Sequence, residues 1–301
     1  MSPSALNANR QAKTGRLGPA AQPFLRPFLK WAGGKTQLLP QFEQYYPREK
    51  IERYIEPFLG SGAVFFHVKS RLHPKTAILC DNNDELIETF KAVQTHVEDV
   101  IRALRTHKRK HGPEYFREMR TRPFKSATER AARLIYLNKT CFNGLYRVNS
   151  RGVFNVPMGR YHKPAILDED GLREANRQLQ DVQIMKRDFH ELPDLAERGD
   201  FIYLDPPYRP VSSTSYFTSY TRDPFGDREQ RDLSDVYGQL CEAGCLVMLS
   251  NSDNPFIRKL YRRFKDVHIH TVSARRNINS RAERRGPINE LVIVNYPTRR
   301  K

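Results

Sequence analysis

Tyr54-Ile55-Glu56-Pro57-Phe58-Leu59-Gly60-Ser61-Gly62 is the stretch that decides the fold. Its first residues read as a short strand and end at a proline. Two closely spaced glycines then permit a tight turn, and Ala63 to Val68 continues as an apolar helix. Strand, Gly-rich turn and helix, in that order, open a βαβ unit and argue for an α/β sheet rather than a sandwich or a bundle. Working outward, further β-rich runs occur at Lys75 to Cys80, Val182 to Lys186, Phe201 to Leu204, Cys245 to Ser250, Val267 to Val272 and Leu291 to Asn295. With Arg53 to Glu56 they make seven expected strands. The segment from about Asp84 to Leu179 breaks the alternation. It carries helical patterns, such as Glu85 to Leu104 and Ala127 to Asn138, but few strand candidates, so it reads as an insertion.

The turn itself is half of a dinucleotide fingerprint. A full one wants a third glycine, and position 65 is Phe65, so a pyrophosphate is disfavoured. What remains is a backbone turn that a ligand can approach, with Asp81 at the end of the next strand, where a carboxylate can accept both hydroxyls of a ribose. That combination suits an adenosine without phosphates; taken alone, G-x-G also suits an ordinary turn. Gly33-Gly34-Lys35-Thr36 is likewise no phosphate loop, because the pattern requires glycine at position 29 and the chain has Leu29. Its glycines, flanked by Lys30, Trp31 and Lys35, either bring backbone, a stacking face and a cation to a small ligand or form a turn around a buried Trp.

Asp205-Pro206-Pro207-Tyr208, directly after the apolar run Phe201 to Leu204, is the sharpest motif. Two prolines stiffen the backbone and remove two N–H donors, so Asp205 and the neighbouring carbonyls present acceptors at the carboxyl end of a strand. Tyr208 adds a flat face on which an extruded base can stack while the carboxylate takes a proton of its exocyclic amine.

The chain has 301 residues, enough for about two folded units or one large domain with an insertion. Lys and Arg number 51 against 34 Asp and Glu, a formal charge of +17. Much of the excess is clustered. Arg102, Arg105, Lys108, Arg109 and Lys110 form one block and Arg275, Arg276, Arg281, Arg284 and Arg285 another, the kind of grouping that neutralises phosphates. Nucleic acid is therefore the expected partner. No apolar run is long enough to span a bilayer. Four cysteines, Cys80, Cys141, Cys241 and Cys245, contain no C-x-x-C pair and are too few for a disulfide scaffold, which points to a reducing, cytoplasmic setting and no metal site. Residues 1–22 are basic without an apolar core and read as a disordered arm rather than a secretory signal.

Taken together, Phe28 to Lys35, the Glu56-Pro57-Phe58 turn, Phe154-Asn155-Val156-Pro157 before Gly159-Arg160-Tyr161, and Asp205 to Tyr208 resemble the Dam family of DNA adenine-N6 methyltransferases. The resemblance runs from Phe28 to about Pro297. It implies a Rossmann-like seven-stranded methyltransferase sheet, mostly parallel with an antiparallel C-terminal hairpin, carrying an inserted helical target-recognition domain. Residues 23–83 and 180–301 would form the catalytic domain and 84–179 the recognition domain. It implies S-adenosyl-L-methionine as the methyl donor, held by Trp31, Lys35, Glu56, Gly60, Gly62, Asp81 and Asp205. Glu56 is one departure, a carboxylate where relatives can carry Asp, and is expected to alter donor binding little. Asp205, Pro206 and Tyr208 would be catalytic. The family would use Arg147 for a guanine edge, Leu145 for base contact and Asn143 as an intercalating side chain, with Lys30, Pro157 and Tyr161 also touching duplex DNA, within GATC. For Arg147 a phosphate clamp is the alternative role.

Adenine N6 carries a lone pair delocalised into the ring, so methylation needs acceptors that hold the amine protons. Asp205 and the Pro206 carbonyl can do so for a base flipped from the duplex. A cytosine-C5 mechanism would need a nucleophilic cysteine, typically in Pro-Cys, and no cysteine here follows a proline. Rival expectations are an RNA adenine or protein glutamine methyltransferase, and a basic DNA-binding module with an inactive donor site. A monomer suffices for the chemistry.

Overall fold

In the computed structural model, which describes residues 24–208, 225–275 and 287–298, all seven expected strands form one sheet in the order β3-β2-β1-β4-β5-β7-β6. The strands are β1 (Arg53–Glu56), β2 (Thr76–Asp81), β3 (Val182–Lys186), β4 (Phe201–Leu204), β5 (Leu246–Ser252), β6 (His268–Arg275) and β7 (Pro287–Val294). The five strands from β3 to β5 run parallel, and β7 is antiparallel to both β5 and β6. The expected arm, the Ser/Thr/Tyr-rich stretch Val211 to Thr221, and residues 276–285 of the second basic block lie outside the described residues.

Side chains alternate across the sheet and both faces are covered, which is why its strands read as nearly continuous apolar runs. Tyr54, Ala77, Leu79, Phe201, Tyr203 and Met248 face one apolar cluster; Ile55, Ile78, Cys80, Ile202, Leu204 and Val247 face the other. The second cluster is closed by Leu233, Tyr237 and Leu240 of α9 (Asp227–Glu242) and by Ile257 and Tyr261 of α10 (Pro255–Tyr261). Each fully buried large aliphatic side chain contributes about 1.5–3 kcal/mol.

The strand order reverses direction between β1 and β4, which are adjacent and parallel. In open α/β sheets the crevice at such a point, outside the carboxyl ends of the strands, is where ligands bind. The turn after β1 begins at Pro57 and the one after β4 at Asp205, so the two motifs singled out in the sequence emerge side by side.

Helices α1 (Leu39–Phe42) and α2 (Ala63–Leu72) precede β2 and α8 (Leu192–Leu195) follows β3; between β2 and β3 lie α3 (Asp84–Thr95), α4 (Val97–Lys110), α5 (Pro113–Thr121), α6 (Ala127–Thr140) and α7 (Glu169–Gln178). The helical stretch expected from Glu85 to Leu104 is broken. Its chain leaves helical geometry at His96 (φ −139°), whose N–H caps the Ala92 carbonyl at 2.8 Å. Asn83 caps the start of α3 by accepting the Leu86 N–H at 3.1 Å. One continuous apolar cluster joins this segment to the sheet through Leu86, Phe90, Leu104 and Leu137, so the insertion and the sheet share a core. The first basic block is partly spent internally: Arg102 pairs with Asp99 and Arg105 with Glu169, each at 2.7 Å, while Lys108, Arg109 and Lys110 are exposed.

Candidate active site

The turn after β1 owes its shape to Gly60 (φ +49°) and Gly62 (φ +70°), both in the left-handed region. A Cβ on Gly60 would sit 3.0 Å from Cδ1 of Trp31, so the absence of a side chain there lets the indole close over the turn. The Gly60 N–H, which in a dinucleotide loop would face a phosphate, instead donates to Oδ2 of Asp81 at 3.2 Å, and Asn83 N–H donates to Oδ1 at 3.0 Å. A carboxylate at that position repels phosphate and still has lone pairs for two hydroxyls. Burial lifts the Asp81 carboxyl to about 6, against the backbone N–H donors that favour its charge.

Lys35 is 3% exposed, and its ammonium is surrounded. It donates to the Gly33 carbonyl at 2.6 Å, meets Oδ1 of Asp205 at 2.8 Å and lies 4.7 Å from the centre of the Tyr208 ring. The same Oδ1 accepts the Ser250 hydroxyl at 2.9 Å, and Ser250 is in turn 2.8 Å from the Tyr203 hydroxyl. Asp205 is thus fixed from two sides through one oxygen, and among the described residues Oδ2 has no hydrogen-bond partner. Behind the motif, Gln230 donates to the Pro207 carbonyl at 3.0 Å and is itself held by Asn251, so the turn rests on buried polar side chains of α9 and β5. Pro206 is buried beneath it.

Glu56 is placed differently from the other donor-site residues expected from sequence. It is 2% exposed, accepts the Tyr54 hydroxyl at 2.7 Å and lies under the turn; burial, with the charges of Asp205 and Asp81, holds its carboxyl well above the usual range. Trp31 is half-buried and stacks on Tyr146, with ring centres 5.3 Å apart and planes 22° apart. Tyr146 is anchored by donating to Glu85, which also pairs with Arg133.

The second group of expected residues gathers where α6 ends. Phe142 N–H donates to the Pro157 carbonyl at 2.9 Å, and Val148 pairs with Phe154, so the chain after α6 folds back as a small hairpin. Asn143 adopts φ +55°, and a Cβ on the following Gly144 would lie 2.6 Å from Cβ of Lys30, a contact only glycine tolerates. Leu145 is half-buried, and Arg147 is exposed and donates through Nε to Oδ1 of Asn155 at 2.7 Å. The Lys30 ammonium lies 4.9 Å from the centre of the Tyr161 ring. Lys30, Asn143, Arg147, Pro157 and Tyr161 are all exposed.

Sequence reasoning passed over four residues that matter to this geometry. Asn138, 1% exposed, accepts the Lys30 N–H at 2.8 Å and donates to the carbonyls of Lys30 (2.7 Å) and Gly144 (3.0 Å), tying the Trp31 segment to the end of α6. Phe142, beside Asn143, is 49% exposed, an uncommon position for a large apolar ring. Ser250 supports Asp205, and Glu290 accepts the Tyr208 hydroxyl at 2.6 Å. The clue to Glu290 was a carboxylate inside an apolar run; the expected strand began one residue later, at Leu291, whereas the antiparallel pairing with β6 carries β7 back to Pro287.

Comparison with known proteins identifies the family. Residues 31–278 match the model of the family described as D12 class N6 adenine-specific DNA methyltransferase. The chain is 42% identical over 280 residues to the type II methyltransferase M1.LlaDCHI of Lactococcus lactis subsp. cremoris, covering 90% of this chain and 96% of that protein. It is 41% identical over 293 residues to the type II methyltransferase M.MjaIII of Methanocaldococcus jannaschii, covering 90% and 99%. With the DNA adenine methylase of Escherichia coli K12 it shares 34% identity over 276 residues, covering 90% and 96%. These matches favour DNA adenine over the RNA and protein-amide substrates entertained from sequence. The chain belongs to the D12 class of N6 adenine-specific DNA methyltransferases.

Proposed function

We propose that this enzyme methylates adenine N6 within GATC in duplex DNA, with S-adenosylmethionine as donor and the target base extruded into the crevice between β1 and β4. The observation that carries this reading is the meeting, at one switch point, of the Asp81-bonded Gly turn with the Lys35–Asp205 pair and the Tyr208 ring. The residues fit that donor. Trp31 offers a flat face over the Gly60 turn, Asp81 offers acceptors to ribose hydroxyls, and among the described residues Asp205 and Glu290 both lie close to Lys35, which suits a cationic ligand. When bound, S-adenosylmethionine supplies a methyl group made electrophilic by the sulfonium.

The chain's own part is to bind, orient and accept hydrogen bonds. Oδ2 of Asp205 and the Pro206 carbonyl would accept hydrogen bonds from the two N6 hydrogens and turn the nitrogen lone pair out of conjugation, while Tyr208 holds the purine plane. The one proton that N6 sheds on methylation would pass by way of Oδ2 of Asp205 to solvent. Stacking there offsets the few kcal/mol lost on leaving the duplex. Since both acceptors are fixed before substrate arrives, little reorganisation remains for the reacting state.

Residues 84–179 act as the recognition domain in this reading. Arg147, aimed by Asn155, would read a guanine edge through its remaining N–H groups, and Leu145, Pro157, Tyr161 and Lys30, the last two in contact at 4.9 Å, would also touch the DNA. Phe142 and Asn143 would enter the base stack, the first as an apolar wedge. Transfer of tritiated methyl to duplex GATC, to a duplex lacking GATC and to total RNA tests the proposal. Incorporation confined to GATC adenine is expected, and equal incorporation into the duplex lacking it would overturn the specificity.

A further inference from the structure

Tyr208 is held from both ends. Its ring faces the Lys35 ammonium at 4.7 Å, and its hydroxyl donates to Oε2 of Glu290 at 2.6 Å. Glu290 belongs to β7, not to the Asp205–Tyr208 turn, and its own place is set by backbone pairing with Ser252 on one side and Val272 on the other. The bond therefore ties the last residue of a turn, immediately before residues outside the described set, to a strand paired along both of its edges. Among the described residues, the Tyr208 ring, which can turn about χ1 and χ2, has no other hydrogen bond at its far end.

We propose that Glu290 is a positioning residue for methyl transfer, fixing through the Tyr208 hydroxyl the plane of the ring against which the target adenine stacks. The inference rests on the reading of the site given above. A base stacked on a ring whose hydroxyl is tethered approaches the Asp205 acceptors in one orientation; a base on an untethered ring samples several, and the reacting atoms are aligned for a smaller share of the time. A carboxylate suits this role because Oε2 accepts a short hydrogen bond from a neutral phenol, and the surroundings hold that phenol protonated, since burial together with Asp205 and Glu290 keeps Tyr208 well above its ordinary pKa.

The test uses the full chain with single-turnover kinetics, DNA-binding affinity, and fluorescence of 2-aminopurine placed at the target position, read without donor. Glu290→Ala should slow single turnover roughly 10–100-fold while DNA affinity stays within about threefold, and should raise the 2-aminopurine signal because the extruded base stacks less well. Glu290→Gln keeps an oxygen acceptor and should restore most of the rate. Tyr208→Phe should reproduce the Glu290→Ala loss, and adding Glu290→Ala to it should cost nothing more. Should Glu290→Ala be poorly folded, Tyr208→Phe and Glu290→Gln decide alone. Wild-type rate in Tyr208→Phe, or an equal slowing by Glu290→Ala with and without the hydroxyl, overturns the proposal. Failure of the wild type to methylate DNA would instead overturn the reading of the site, and the donor-free fluorescence would still report whether Glu290 orders the stacked base.

Discussion

The proposed function assigns the chemistry to the crevice at the strand ends and recognition to the face beyond α6, and the polar groups of the two regions are in opposite states. In the crevice, Lys35, Asp205, Ser250, Tyr203, Tyr208 and Glu290 are already bonded to one another. On the outer face Lys30, Asn143, Arg147 and Tyr161 reach into solvent, with Arg147 committing only part of its guanidinium to Asn155. The difference separates two physical demands. Chemistry is favoured by groups that need no rearrangement when charge develops, whereas recognition is favoured by groups whose partners arrive with the ligand.

Removing Asp205 should break the contrast most severely. Asp205→Ala takes away the proposed amine acceptor and deprives buried Lys35 of its ion-pair partner at 2.8 Å. Turnover should fall by about 10³-fold or more while affinity for duplex GATC, measured by fluorescence anisotropy, changes little, because the exposed face is untouched. Comparable loss of DNA binding would show that the crevice and the face are not separable.

Asn138 is where they are joined. Its amide holds three backbone groups, the Lys30 N–H and the carbonyls of Lys30 and Gly144. Asn138→Ala should destabilise the protein by about 2–4 kcal/mol in urea unfolding, and at permissive temperature should weaken both donor and DNA binding. Loss confined to one of the two would sharpen the comparison by locating the hinge on that side. Arg147→Ala belongs wholly to the outer face. It should cost about 1–3 kcal/mol on GATC and little on a duplex altered at the guanine it reads, whereas an equal loss on every sequence would make it a phosphate contact.

How much of this was legible in the sequence follows the same divide. Strands β1, β3 and β4 appear with their expected bounds, and the seven-stranded sheet with its antiparallel end stands as the resemblance implied. Local apolar runs and Gly or Pro punctuation carry that information. Asp205, Lys35 and the Gly60 turn were legible because each sits in a short motif whose backbone demand is visible in the residues themselves. Ser250, Glu290 and Asn138 were not, since their significance comes from partners distant in sequence: Asn138 meets Lys30 across 108 positions. The break at His96 escaped notice because α3 and α4 each keep an apolar stripe and no Gly or Pro marks the join. The pairing inside the basic block of α4 is hidden from the sequence for a similar reason. Composition shows that Arg102 and Arg105 are cationic, and only the fold shows that Asp99 and Glu169 lie against them.

Proton occupancy distinguishes the two regions further. The raised pKa of Asp81 means the folded, ligand-free protein holds a proton there that the unfolded chain has already lost, between its ordinary 3.8 and about 6. The stability this lends is complete below about 4 and is lost as pH rises through about 6. In the proposed donor site the ribose hydroxyls would donate to the ionised form, so the sign for binding is the reverse. Donor affinity by calorimetry should be flat above about pH 7 and fall up to roughly tenfold per pH unit well below 6, and Asp81→Asn should bind weakly without that dependence. A wild-type profile that stays flat down to about pH 5 would remove Asp81 from the donor site.

The smallest expected effect concerns α4. If exposed cations are what meet phosphate, the five-residue block should act as two populations. Replacing Lys108, Arg109 or Lys110 by Ala should reduce the slope of log affinity against log salt by about 0.9 for each phosphate contact removed. Arg102→Ala and Arg105→Ala, which release Asp99 and Glu169 from pairs already made, should change that slope less and shift stability by no more than ~1 kcal/mol. Equal slopes for all five would mean that these surface pairs open when DNA arrives, in which case an internal ion pair marks a cation held in reserve and the outer face is wider than its unpaired residues suggest.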